Sequence, residues 1–240
     1  MNEVIQTIMD RKSVRDFEDT PIAEEERNII LNAACAAPTA GNQQLYTIID
    51  VKDQKIRDGL VETCDHQDFI AKGKMVLVFC ADTRKWHEGF EDCDCKPRNR
   101  GVGDLFLAMS DACIAAQNAV IAAESLGIGS CYIGDIMENY EMQRELLKLP
   151  DFVFPCAMLV FGYPTKAQKD RTKVKRAPLN RIVSEDAYPQ MDEQYRKDLF
   201  YKGSVQSYEE WMKAFCERKY NSDFSREMSR SVKAFLKQFE

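Results

Sequence analysis

Ala112-Cys113-Ile114-Ala115-Ala116-Gln117-Asn118-Ala119-Val120-Ile121-Ala122-Ala123-Glu124-Ser125-Leu126-Gly127 (residues 112–127) completes a helical pattern that begins at Val102. Together with Ala108 and Met109, its apolar residues run nearly all round the helix, so the segment is expected to be buried. Its many alanines allow close approach of another helix. A belt of this kind belongs either to the central core helix of a monomer or to a dimer interface. Gly127 follows the last periodic residue, where a glycine commonly closes a helix.

Reading outward, Val4, Ile5, Ile8 and Met9 recur at helical spacing and predict a short helix over residues 2–11 that ends in basic residues. A second helix starts at Glu24-Glu25-Glu26, acids suited to a positive helix N-terminus, and runs through Ile29, Ile30, Ala33 and Ala34 towards Pro38. Residues 45–51 and 75–81 read as strands, with a helix over 53–63 between them. Beyond the central helix, residues 139–147 read as a helix and 156–161 as a strand. The tail from Met191 is helical, polar and aromatic, with a break at Lys202-Gly203-Ser204. This order places the chain in the α+β or α/β class. The glycine pairs Gly101/Gly103 and Gly127/Gly129 do not follow strands, so neither is a dinucleotide-binding fingerprint.

With 240 residues and 45% hydrophobic content, the chain can bury a substantial core, and no linker-like stretch interrupts it. A net charge of −6 argues against nucleic acid as the main partner. The N-terminus lacks the basic-then-apolar pattern of a secretory signal. The most apolar stretch, residues 114–123, carries Gln117 and Asn118 and is too short to span a bilayer. A soluble, cytoplasmic protein with no membrane partner is therefore expected. Most of the nine cysteines sit in apolar runs, as reduced thiols do. Cys93-Asp94-Cys95, with His87 nearby, is the exception, but no second cysteine pair stands at zinc-site spacing. The reading there is free thiols in a polar loop and no metal.

Two basic clusters stand out against the acidic balance: Arg11-Lys12-Ser13-Val14-Arg15 and Lys173-Val174-Lys175-Arg176-Ala177-Pro178-Leu179. Arg offers a planar fork of donors, Lys a point charge and Ser a short hydroxyl, a set that suits a phosphate monoester. Two solvated basic turns would read the same way.

The first cluster continues as Asp16-Phe17, with Pro21 and Ile22 following. Ala37-Pro38-Thr39-Ala40-Gly41-Asn42, the run from Ala123 to Tyr132-Ile133-Gly134, Leu147-Lys148-Leu149-Pro150 and Gly162-Tyr163-Pro164 come after it in that order. Through these motifs nearly the whole chain resembles the FMN-dependent nitroreductase family, and most of all its NADPH-dependent bacterial nitroreductases and flavin reductases with a long C-terminal extension. The resemblance implies an α+β homodimer with a central, mostly antiparallel sheet flanked by helices. Residues 1–188 would form the FMN-binding domain and 189–240 a helical extension of that same domain.

The resemblance also implies a site shared between two subunits. Arg11, Lys12 and Ser13 would bind the FMN phosphate with Arg176 and either Lys173 or Lys175. Arg15 would approach the N1/C2 carbonyl edge of the ring as an electrostatic group. Pro38, Thr39 and Asn42 would reach across from the partner, and Gln67 would donate an amide. Tyr132, Ile133, Gly134 and Asp135 would lie beside the ring. Relatives often carry a second glycine at position 135, so Asp135 would bring a carboxylate to the pocket. Lys202 would meet the 2′-phosphate of NADPH. With only His66 and His87 present, hydrolytic acid–base work is poorly provided for, which suits chemistry carried by a flavin. The implied activity is NAD(P)H-dependent reduction of nitroaromatics, quinones or free flavins by a ping-pong route through flavin N5. A flavin carrier or sensor without turnover, or a protein that docks partners through its C-terminal helices, remains the alternative.

Overall fold

The computed structural model describes residues 1–201 and 203–240. The chain forms two compact units, Met1–Arg171 with Glu227–Glu240, and Thr172–Arg226. The first unit opens with α1 (Glu3–Asp10), α2 (Glu24–Cys35), β1 (Tyr46–Asp50), α3 (Gln54–Thr63), α4 (Phe69–Lys72) and β2 (Met75–Asp82). It continues with α5 (Lys85–Asp92), α6 (Val102–Ser125), β3 (Gly129–Ile133), α7 (Tyr140–Leu146), β4 (Val153–Gly162) and α8 (Lys166–Asp170). The second unit holds α9 (Glu193–Phe200) and α10 (Tyr208–Lys219), and α11 (Asp223–Leu236) follows.

Among the described residues, four strands make one antiparallel sheet in the order β1-β2-β4-β3. β2 and β4 are buried along their whole length, which explains their unbroken apolar runs. In β2, Met75, Leu77, Phe79 and Ala81 face one core, shared with α2 and α6. Val76, Val78 and Cys80 face a second core, shared with α3 and α4. A sheet covered on both faces by helices follows from strands apolar on both faces. Phe235 of α11 completes the first core, fully buried against Phe154 and Tyr140.

The helix α6 ends as the sequence predicts. The N–H of Gly127 bonds the Glu124 carbonyl and that of Ile128 the Ala123 carbonyl, with Gly127 left-handed at φ +76°. This paired closure needs a residue without a Cβ penalty. Burial of α6, however, differs from the expectation. Leu105, Ala108, Ala112, Ala115, Ala116, Ala119, Val120 and Ala123 are buried, whereas Phe106, Leu107, Cys113 and Ile114 face outward. One chain covers only one side of a helix that is apolar all round. By length and composition α6 could cross a membrane, but its buried side packs on α2, β2 and β4 within the fold. The strand β3 and the helix α5 had no counterpart in the sequence reading. β3 begins Gly129-Ser130, which hides its pairing with β4.

Candidate functional site

The first basic cluster leaves α1 at Arg11 and crosses the adjoining ends of β3 and β4. Ser13 bridges Ser130, and Phe17 bridges Pro164. The seat for this segment is a pair of glycines in register, Gly129 opposite Gly162. A Cβ at Gly129 would stand 2.6 Å from Val14, and one at Gly162 2.7 Å from the Phe17 ring. Only a hydrogen at both positions lets the segment lie so close.

Held there, the cluster surrounds buried polar groups. Ser130 is fully buried and its Oγ has no hydrogen-bond partner; Arg11 Nε is likewise buried without one. Arg15, Arg11 and Arg171 all act on the buried Cys131 thiol, which burial nonetheless pushes above its ordinary value. Three cations and two idle polar groups at one strand end have unmet capacity for an anion. Arg171, which the sequence reading passed over, also donates to the Ser13 carbonyl. It lies two residues before Lys173, where the second basic cluster begins.

Lys12 points elsewhere. Its ammonium donates to the Lys169 and Arg171 carbonyls at 2.6 and 2.7 Å, closing the C-terminal end of α8. Lys175 and Arg176 are exposed in the second unit, with Lys173 half-buried. Lys202 lies outside the described residues.

The loop from Pro38 to Asn42 is fixed by a residue that sequence reasoning missed. Asp111 is 2% exposed on α6. Its two oxygens accept the N–H groups of Ala40 (3.0 Å) and Leu45 (3.2 Å). Thr39 Oγ1 accepts the Gln44 N–H, and Asn42 accepts the Gln44 amide. Gly41, Asn42 and Gln44 are all left-handed. An Asp inside an alanine-rich buried run was the available signal, since a buried carboxylate requires donors.

The last group lies at the other end of β3. Tyr132 is half-buried, its hydroxyl donating to Gln117 Oε1 at 3.4 Å, and burial raises its phenol's pKa. Gly134 is exposed, and a Cβ there would meet nothing within 4 Å. Packing within the chain therefore does not require a glycine at 134. The Asp135 carboxylate accepts the Gln67 amide at 2.5 Å, and the same amide also bonds the Cys64 carbonyl. Gln67 and Asp135 thus tie two loops together. Near α5, His87 Nε2 lies 2.9 Å from the Arg98 carbonyl and so donates to it.

These features accommodate FMN. The cations Arg11, Arg15 and Arg171 would suit a phosphate, and no side chain fills the space beside Gly134. The family model described as Nitroreductase matches residues 8–163. The chain is 33% identical to the FMN reductase [NAD(P)H] of Bacillus subtilis, over 98% of this chain and 91% of that protein. It is 34% identical to the oxygen-insensitive NADPH nitroreductase of Salmonella typhimurium, over 80% of this chain and 78% of that one. The solved structure of B. megaterium NfrA1 superposes with a TM-score of 0.85 at 31% identity, covering 98% of both chains.

Proposed function

The chain belongs to the nitroreductase family, and on that premise we propose that it is an FMN-dependent NAD(P)H oxidoreductase, a nitroreductase or flavin reductase that works in the cytoplasm as a homodimer. The observation that carries the proposal is the gathering of Arg11, Arg15 and Arg171 around Ser130 and Cys131, with buried polar atoms left idle. The names of the relatives, an FMN reductase using NAD(P)H and an NADPH nitroreductase, support the cofactor pair.

When bound, FMN supplies the redox chemistry, taking a hydride from NAD(P)H and passing electrons to a second substrate. The chain's own residues bind and orient. Arg11 and Ser13 hold the phosphate, with Arg176 and either Lys173 or Lys175 completing the set. Each charge-assisted contact contributes about 1.5–3 kcal/mol. Arg15 keeps a cation at the ring edge, where negative charge is best tolerated. The loop of Pro38, Thr39 and Asn42 covers the partner's site, and Tyr132, Ile133 and Gly134 line the ring. Lys202 is the proposed contact for the 2′-phosphate, and because an ammonium lacks Arg's bidentate fork the preference for NADPH over NADH is modest. Acceptors are flat electrophiles: nitroaromatics, quinones or free flavins.

The absorbance spectrum of the purified protein, before and after anaerobic addition of NADPH, tests this reading. Flavin bands that bleach are the expected result. A colourless protein that takes up no added FMN overturns it, and bound flavin that NADPH leaves unbleached replaces the reductase with a flavin carrier.

A further inference from the structure

Glu138 stands three residues beyond Asp135, in the turn that leaves β3. It is 4% exposed, and its Oε1 is buried with no hydrogen-bond partner. Its carboxyl group meets that of Asp135, and its backbone N–H bonds the Asp135 carbonyl at 2.9 Å. Asp135 in turn accepts the Gln67 amide, whose other bond goes to the Cys64 carbonyl. The charged groups acting on Glu138 are acidic: Asp135 from its own turn, Asp65 from the loop before α4 and Glu227 from α11. Arg230, the cation beside Glu227, is occupied by Glu227 and Glu141 at 2.7–2.9 Å. Burial holds the neighbouring Cys64 thiol protonated, pushed up to about 12. His66 faces Glu62 at 3.2 Å.

Two ionised carboxylates in contact, one with an oxygen that lacks any donor, would be both repulsive and poorly solvated. A single proton between them turns the repulsion into a hydrogen bond. We propose that Glu138 is a positioning residue for the flavin site, sharing a proton with Asp135 so that Gln67 and the turn from Tyr132 to Asp135 are held together for the cofactor. Loss of that proton loosens the turn and weakens flavin binding. The inference rests on the FMN reading above.

The direction with pH follows from the environment. Burial first, then Asp135, lifts the Glu138 carboxyl from its ordinary 4.5 to about 8. A group whose folded value is raised contributes stability that is fully present below about 4.5 and is lost as pH rises through about 8. At neutral pH the proton is still held, and in mildly alkaline solution it leaves.

The test follows FMN release by fluorescence across the window around pH 8 for the flavin-loaded wild type and for Glu138→Gln. In the wild type, the FMN Kd is expected to rise by about tenfold from neutral to alkaline pH. In Glu138→Gln the profile is expected to be flat, because the amide donates to Asp135 at every pH. The same pH dependence in both proteins, or none in either, overturns the proposal while FMN binding itself stands. Failure of the wild type to hold FMN at any pH overturns both this inference and the function it rests on. Infrared spectra of the wild-type holoprotein give a readout that does not depend on the variant folding. A protonated-carboxyl C=O band that disappears on titration through pH 8 supports the shared proton, and its absence at neutral pH overturns it.

Discussion

A carboxylate in an alanine-rich buried helix has to be compensated, and Asp111 is compensated by two backbone N–H groups of the loop it anchors. Removing it strands both donors, one of them buried. Asp111→Ala is therefore expected to destabilise the protein by about 2–3 kcal/mol, read as a shift of the urea midpoint at constant m. An unchanged midpoint would show that water replaces the carboxylate at no cost. Arg11 poses the complementary case: its Nε is idle in the chain, so folding loses little when it goes and ligand binding loses much. Arg11→Ala should lower FMN affinity ten- to hundredfold, about 1.5–3 kcal/mol, with the melting temperature of the flavin-free protein unchanged. Titration of that flavin-free protein with FMN decides it, and wild-type affinity would remove Arg11 from the site.

Between residues and the whole molecule, the decisive element is the seam where the segment from Arg11 to Phe17 lies on β3 and β4. Its glycines separate two kinds of requirement. Gly129 and Gly162 are needed by the chain itself, since a Cβ would strike Val14 or Phe17 at 2.6–2.7 Å. Gly134 is not, since a Cβ there meets open space and its φ of −78° is ordinary. Gly129→Ala is therefore expected to cost about 1–3 kcal/mol in chemical denaturation. Gly134→Ala is expected to change stability by less than about 0.5 kcal/mol yet impair FMN binding by crowding the ring. Equal effects of the two substitutions on stability would contradict that division. The same seam shows where sequence reasoning stops. Charge made the Arg11–Arg15 cluster legible, and unbroken apolar runs made β2 and β4 legible. Charge alone reads Lys12 as a phosphate ligand and gives no sign that its ammonium also closes α8. Gln67, Asp135 and Glu138 look unrelated in sequence because only the packing of two loops brings them together. β3 was hidden because its opening Gly129-Ser130 serves the close approach of another segment and not strand propensity.

At the scale of the molecule, the outward side of α6 is the feature one chain leaves unexplained. Phe106 is 64% exposed and Ile114 41%, and α1, which packs on α6, exposes Val4, Ile5, Ile8 and Met9 by 45–62%. Glu3, Val4, Thr7, Ile8, Ile121 and Ala122 line a groove of about 500 Å³ along this side. Isolated exposed apolar residues are ordinary, but two adjoining helices that both turn apolar faces outward mark an association surface. On the proposed homodimer, we expect a second copy of the chain to cover this face by twofold symmetry, with the same patch serving both partners. One side of the belt belongs to the chain's own core, and the other is exposed in the single chain. Such a dimer is consistent with the proposal that the loop from Pro38 to Asn42 of one chain reaches the flavin site of the other. The protein is accordingly expected to be a dimer at micromolar concentration by light scattering. Phe106→Glu, which buries a charge in the contact, is expected to yield a folded monomer. If the site is shared as proposed, that monomer should also lose its FMN, although residue 106 is not among the proposed cofactor ligands. A wild-type monomer that retains flavin, or a Phe106→Glu monomer that binds FMN as tightly as wild type, would mean that each chain carries a complete site of its own.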